Sequence, residues 1–180
     1  MTEQELIKKC KSQDPTAQRS LYDTFANRLY RLAFRYVRNQ EESEDVVMRS
    51  FMKILGNIRN FTYRGNGSLD AWMRRIVVNE ALMGLRRRTN FHLTESLDAG
   101  NPEHDLETLQ DTDAEYLYEM ILELPDGYRT VFNLSVIEGY DHREIGQLLG
   151  ITEGTSRSQL FKAKELLKRK IRKEGIHYGT

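Results

Sequence analysis

A single cysteine, Cys10, in 180 residues excludes any internal disulfide and points to a reducing compartment. Only three prolines interrupt the chain, so long helices have few forced stops. No apolar run approaches the roughly 20 residues that a membrane-spanning helix requires. The opening stretch MTEQELIKKC carries no apolar core of the signal-peptide kind, so a cytoplasmic protein is expected. Catalytic constellations are missing as well. His92, His104, His142 and His177 lie far apart, and none has zinc-ligand spacing with another or with Cys10. There is no phosphate-cradling loop ending in Gly-Lys and no nucleophile elbow around a serine. Asp111 and Asp113 sit where nothing would fix their geometry for acid–base work. The expectation is a protein that is not an enzyme, with no metal, no cofactor and no small-molecule substrate.

A net excess of charge is also absent, with 27 Lys and Arg against 27 Asp and Glu, but the zero hides a segregation. Residues 155–173 hold eight Lys and Arg against the one acid Glu165. Residues 94–119 hold nine acids and no Lys or Arg. Charge sorted into blocks predicts basic surfaces joined by an acidic segment.

What the chain does have is helical periodicity. Thr2 with Glu5 makes a capping box that opens a short helix to about Lys11. Asp14-Pro15 starts a second, with Leu21, Phe25, Leu29, Leu32, Ala33 and Tyr36 in period to about Arg38. A third follows Asn39, with Val47, Phe51, Ile54, Leu55 and Ile58 on its inner face and Glu42, Asp45, Arg49 and Lys53 opposite. The period then breaks over NFTYRGNGS, after which Ser68 is expected to cap a strongly basic helix, LDAWMRRIVVNEALMGLRRR. Trp72, Ile76, Val77 and Leu82 are expected in the core, and the amide of Asn79 to bond within it. Residues 89–112 lack periodicity and are expected to form an extended, mobile acidic linker. A helix over 113–124, a break at Pro125-Asp126-Gly127 and a helix over 128–137 should follow. The fold class is all-α, two small helical domains joined by a flexible acidic linker, with boundaries at 1–88, 89–112 and 113–180.

The segment from Tyr140 to Lys173 has the pattern of a DNA-binding helix-turn-helix. Ile145, Leu148 and Leu149 share a face, Gly150 ends the first helix, and Thr152 caps the second. Leu160, Ala163, Leu167 and Ile171 form the buried stripe of that second helix. Arg157, Phe161, Lys164 and Lys168 share the other side. A phenylalanine pointing outward among cations suits a base edge, where it can meet a thymine methyl while Arg157 donates to a purine or phosphate. Earlier in the chain, Phe61 and Tyr63 with Arg64 beside a basic helix form a pattern for single-stranded nucleic acid, in which bases stack on rings and arginines track phosphates. Phe61 packing inward is the other reading of that loop.

These pieces resemble the extracytoplasmic-function (ECF) group of bacterial sigma factors. EESEDVVMRSFMKIL resembles the helix that grips core RNA polymerase; the resemblance implies that Asp45, Arg49, Phe51 and Lys53 contact it. NFTYRGNGSLDAWMRRIVVNEALMGLRRR resembles the stretch that recognises and opens the minus-ten element. It implies single-strand contacts for Phe61, Tyr63, Arg64 and Asn66, and places Asn79 beside a pocket for a base flipped from the non-template strand. LPDGYRTVFNLSVIEGYDHREIGQLLGITEGTSRSQLFKAKELL resembles the region that binds the duplex minus-thirty-five element, and implies contacts from Arg143, Arg157, Ser158, Phe161 and Lys162. The pattern departs at Met48, where many relatives have glutamine, and at Gln159, where they often have arginine or lysine. The resemblance implies promoter-specific initiation with core RNA polymerase. It also implies an anti-sigma factor, often membrane-anchored, as a further partner. A stand-alone helix-turn-helix regulator, or an adaptor that never touches DNA, are the alternatives that the residues alone leave open.

Overall fold

The computed structural model describes residues 1–87 and 113–173, and among them every regular element is helical. The expected acidic linker over 89–112, together with Arg88, His92, His104 and His177, lies outside the described residues. The chain divides into two compact units, Met1–Thr89 and Asn90–Thr180.

In the first unit, α1 (Glu3–Lys11), α2 (Pro15–Val37), α3 (Gln40–Asn57) and α4 (Ser68–Arg87) follow one another, with a 3-10 turn at Ile58–Asn60. The starts of the first three are set by local side chains. Thr2 and Glu5 form the reciprocal capping box, Asp14 accepts the amides of Thr16 and Ala17 ahead of Pro15, and Asn39 accepts the Glu42 amide. Helix α2 ends with Arg38 in the left-handed region at φ 52°. Helices α2, α3 and α4 pack pairwise into a three-helix bundle, and α1 lies against α2 and the 3-10 turn. The bundle core contains Leu21, Leu29, Tyr36, Val46, Ile54, Leu69, Met73, Val77 and Leu85. Cys10 is buried on α1, and burial pushes its thiol above the ordinary cysteine value.

In the second unit, α5 (Asp113–Leu122), α6 (Asp126–Phe132), α7 (His142–Leu149) and α8 (Glu153–Lys173) are joined by short turns, and α6 runs on into a π-helical turn at Asn133–Ile137. Helix α8 is the element against which α5, α6 and α7 all pack. Met120, Ile121, Leu124, Phe132, Ala163 and Leu167 form its core, flanked by Leu160 and Ile171 from the expected stripe.

The break expected over 125–127 lies two residues earlier. Helix α5 ends at Leu122, residues 123–125 form the turn, and Asp126 and Gly127 already belong to α6. Arg129 closes the joint. Its guanidinium is fully buried, donates to the Leu124 carbonyl at 2.7 Å and pairs with Asp126. A buried guanidinium bonded on both sides of the proline ties the start of α6 to the turn that precedes it.

Candidate nucleic-acid interfaces

Helix α7 begins with a capping box between Asp141 and Glu144 and ends at Gly150, whose φ of 68° is the left-handed conformation that glycine accommodates most readily. The turn is tight enough that a Cβ on Gly146 would lie 2.8 Å from the carbonyl oxygen of Ile151. Thr152 accepts the Thr155 amide at 3.0 Å and caps α8 as expected. The His142 ring Nδ1 lies 2.8 Å from the hydroxyl of Ser156, which is fully buried.

Those contacts fix which side of α8 faces water. Arg157, Ser158, Phe161, Lys164 and Lys168 are exposed, Lys162 is half-buried, and Arg143 is exposed on α7. Phe161 is 67% exposed, so it is no part of the unit's core. Arg157 pairs with Glu153 one turn back, and Lys168 bonds Glu165 at 3.0 Å. That bond and the charge of Lys168 hold the Glu165 carboxyl below its ordinary value. Gln159 faces the other way and is buried, so it does not stand on the basic face.

The second surface lies on the first unit. Among the described residues a cavity of about 480 Å³ opens between the loop after the 3-10 turn and the start of α4. Asn60, Phe61, Thr62 and Arg64 line one side, and Ser68, Ala71, Trp72 and Arg75 the other. This is within the range of about 300–1,000 Å³ typical of small-ligand clefts.

Several expectations are corrected here. Phe61 is not an exposed stacking ring. It is buried and packs on Trp72, ring centroids 4.9 Å apart, because an apolar ring beside the 3-10 turn gains more from the bundle than from water. Trp72, expected in the core, is half-buried and forms a cavity wall. Asn79 does not bond within the core. It is exposed, because it lies one turn beyond Arg75 on α4's outward stripe. Ser68 does not cap α4, since its hydroxyl accepts the Arg64 amide at 3.2 Å instead. Tyr63 is half-buried and donates to Asn66 at 2.8 Å, and Arg64 and Asn66 are exposed.

The four residues placed on α3 separate in the same way. Asp45 and Lys53 are exposed and Arg49 is half-buried, but Phe51 is buried against Tyr22 with ring centroids 4.8 Å apart. It is a core residue and presents no surface to a partner. Periodicity missed Glu80. It is buried on α4, and its carboxylate pairs with Lys53 and lies 3.5 Å from Arg49 Nε, while Arg49 also bonds Asp45 at 2.9 Å. Beside this network Met48 and Met52 are exposed. No group of His, Cys, Asp and Glu able to hold a metal occurs among the described residues.

Comparison with known proteins bears on both surfaces. The family model for sigma-70 region 2 matches residues 21–91, and that for sigma-70 region 4 matches residues 114–167. RNA polymerase sigma factor SigV of Bacillus subtilis is 31% identical over 152 residues, covering 82% of this chain and 86% of that protein. The ECF RNA polymerase sigma factor SigW of the same species is 27% identical, covering 92% of this chain and 95% of that one. The ECF RNA polymerase sigma-E factor of Haemophilus influenzae is 29% identical, covering 95% and 96%. Among solved structures, CnrH in complex with the cytosolic domain of CnrY aligns with a TM-score of 0.52 at 19% identity, covering 94% of this chain and 97% of that one. That likeness concerns the fold alone. A bundle matching region 2 followed by a helix-turn-helix unit matching region 4 defines the class, the sigma factors of bacterial RNA polymerase. Within it, the chain belongs to the ECF group of the sigma-70 family. It is a transcription initiation factor that binds core RNA polymerase and gives it promoter specificity. A stand-alone regulator is thereby set aside, since region 2 accounts for the N-terminal half.

Proposed function

We propose a division of labour between the two units, with 1–88 and 113–180 as the reading domains and 89–112 as their connection. The exposed face of α8 reads the duplex minus-thirty-five element through Arg157, Ser158, Phe161 and Lys162, with Arg143 at a phosphate. The cavity beside α4 takes one base of the single-stranded minus-ten element. The observation that carries this assignment is the cavity's chemistry. The Phe61–Trp72 ring pair and the cations Arg64 and Arg75 are among its lining residues, and Asn79 lies one turn beyond Arg75 on α4. A flipped base needs a π-face, an amide for its edge and cations for the flanking phosphates. Tyr63 and Asn66, bonded to each other, form the outer edge of the loop.

Core polymerase docks on the exposed side of α3, through Asp45, Arg49 and Lys53, with Met48 and Met52 as adaptable apolar contacts. At 60% and 70% exposure these methionines contribute nothing to the bundle core, which leaves them available to a partner. An anti-sigma factor, the partner that the family implies, would cover the same face. The protein works in the cytoplasm, and such a factor can hold it near a membrane.

The test is 2-aminopurine placed at successive non-template positions of the minus-ten element, read in the holoenzyme. Fluorescence is expected to rise at one flipped position and to lose that rise in Trp72→Ala and Arg75→Ala. An equal signal in wild type and variants would remove the cavity from the mechanism.

A further inference from the structure

We propose that α1 is a strut that sets the shape of the base-capturing loop, with Glu3 and Lys11 as positioning residues for minus-ten recognition. This rests on the reading of the α4 cavity as a base pocket. The loop is gripped at both ends by one short helix. At its far end the Gly67 amide donates to Glu3 Oε2 at 2.8 Å and the Leu69 amide to Glu3 Oε1 at 2.9 Å. The first amides of a helix have no partner within it, and its N-terminus favours negative charge. Helix α4 therefore takes its cap from a carboxylate 66 residues away in the chain. Ser68, freed from that task, bonds back to Arg64 inside the loop. At the near end, Lys11 Nζ donates to the Phe61 carbonyl at 2.7 Å.

Glu3 and Lys11 stand at the two ends of α1, about 12 Å apart at 1.5 Å per residue. Between them Leu6, Ile7 and Cys10 are buried and hold the rod against the body of the unit. The geometry therefore fixes the Phe61 backbone and the α4 N-terminus relative to each other. Those two points carry the two stretches of chain that line the cavity, Phe61 with Arg64 from the loop and Ser68 with Trp72 from α4. Releasing either end lets the walls shift, which alters which base fits without removing any group that touches it.

The experiment uses the full chain with core polymerase. Single-stranded non-template minus-ten oligonucleotides, differing only in the captured base, compete for the holoenzyme of wild type, Glu3→Gln, Lys11→Met and Lys11→Arg. Discrimination between the preferred base and the others is expected to fall about fivefold or more in Glu3→Gln and Lys11→Met, the loss of one charge-assisted contact. Lys11→Arg should restore it. Affinity for core polymerase and for a minus-thirty-five duplex should stay within about twofold of wild type, less than half a kcal/mol. Undiminished discrimination in Glu3→Gln and Lys11→Met overturns the proposal. So does a loss of discrimination that runs parallel to loss of core affinity, which means general loosening of the unit. Wild type that does not discriminate at all overturns the base pocket itself and this inference with it.

Discussion

The ring Nδ1 of His142 lies 2.8 Å from the Ser156 hydroxyl oxygen, joining the first residue of α7 to the buried side of α8. With the Gly150 turn this is a second tie between the two helices of the motif, placed at the opposite end of α7. It fixes the rotation of α8 and so the direction in which Arg157 and Phe161 point. Ser156→Ala leaves a half-buried ring nitrogen without its partner, a cost of about 1 kcal/mol. Thermal unfolding of the C-terminal unit should fall by roughly 4–8 °C. An unchanged transition would mean that water replaces the hydroxyl at no cost.

Gly146 is required for a different reason, close approach. A methyl group there would sit 2.8 Å from the Ile151 carbonyl oxygen, a backbone atom that cannot rotate away. Gly146→Ala is expected to destabilise the unit by about 1–3 kcal/mol, as overpacked sites do. Binding to a minus-thirty-five duplex should weaken in parallel, while core polymerase binding through the first unit persists. A variant that melts and binds like wild type would show that α7 and α8 can part without penalty.

The Glu80 network makes an asymmetric demand. Glu80 is 5% exposed by side chain, whereas Lys53 is 52% and Arg49 37%. In Glu80→Gln the two cations can turn to water, so the loss should be modest, about 1 kcal/mol. Replacing both cations by methionine leaves a buried carboxylate uncompensated, and about 3 kcal/mol or more is expected. Urea unfolding of the three proteins gives the order directly, and the reverse order would rule out Glu80 as the buried anchor of the network.

Phe161 offers the sharpest separation of stability from recognition. At 67% exposure it contributes little to the fold, and Phe161→Ala should leave unfolding within about 0.5 kcal/mol of wild type. Affinity for the specific duplex should drop by about 1–3 kcal/mol. Filter binding at fixed salt, with a scrambled duplex as control, measures the difference. Equal losses on both duplexes would reduce Phe161 to a non-specific contact.

What was legible in the sequence is what the chain decides within a few residues. Thr2 with Glu5, Asp14 with Pro15, and Thr152 act on amides two or three positions away, and Gly150 ends its helix by its own backbone conformation. Each stands where the pattern put it. The outward direction of Phe161 was legible too, from its position opposite Ala163. The misses share a cause of another kind, a partner far along the chain. Ser68 looks like a cap until Glu3 arrives from α1. Trp72 looks like core and Phe61 looks ambiguous until they meet, and Glu80 looks like a surface acid until α3 supplies Lys53 and Arg49. Arg129 is the exception, with its partners Asp126 and Leu124 three and five residues away, and its burial beside a proline carries no pattern signal. Periodicity also misplaced Asn79, which is exposed, since an amide in an apolar run carries no sign of which way it turns.

The most direct measurement is run-off transcription with purified bacterial core RNA polymerase on a promoter library, with co-purification from the same mixture. The chain should co-purify with core and yield defined start sites downstream of paired minus-thirty-five and minus-ten elements. Trp72→Ala should still co-purify yet start poorly. A protein that ignores core polymerase while retarding duplex DNA alone would contradict the account, and the roles given to α3 and to the α4 cavity would fall with it.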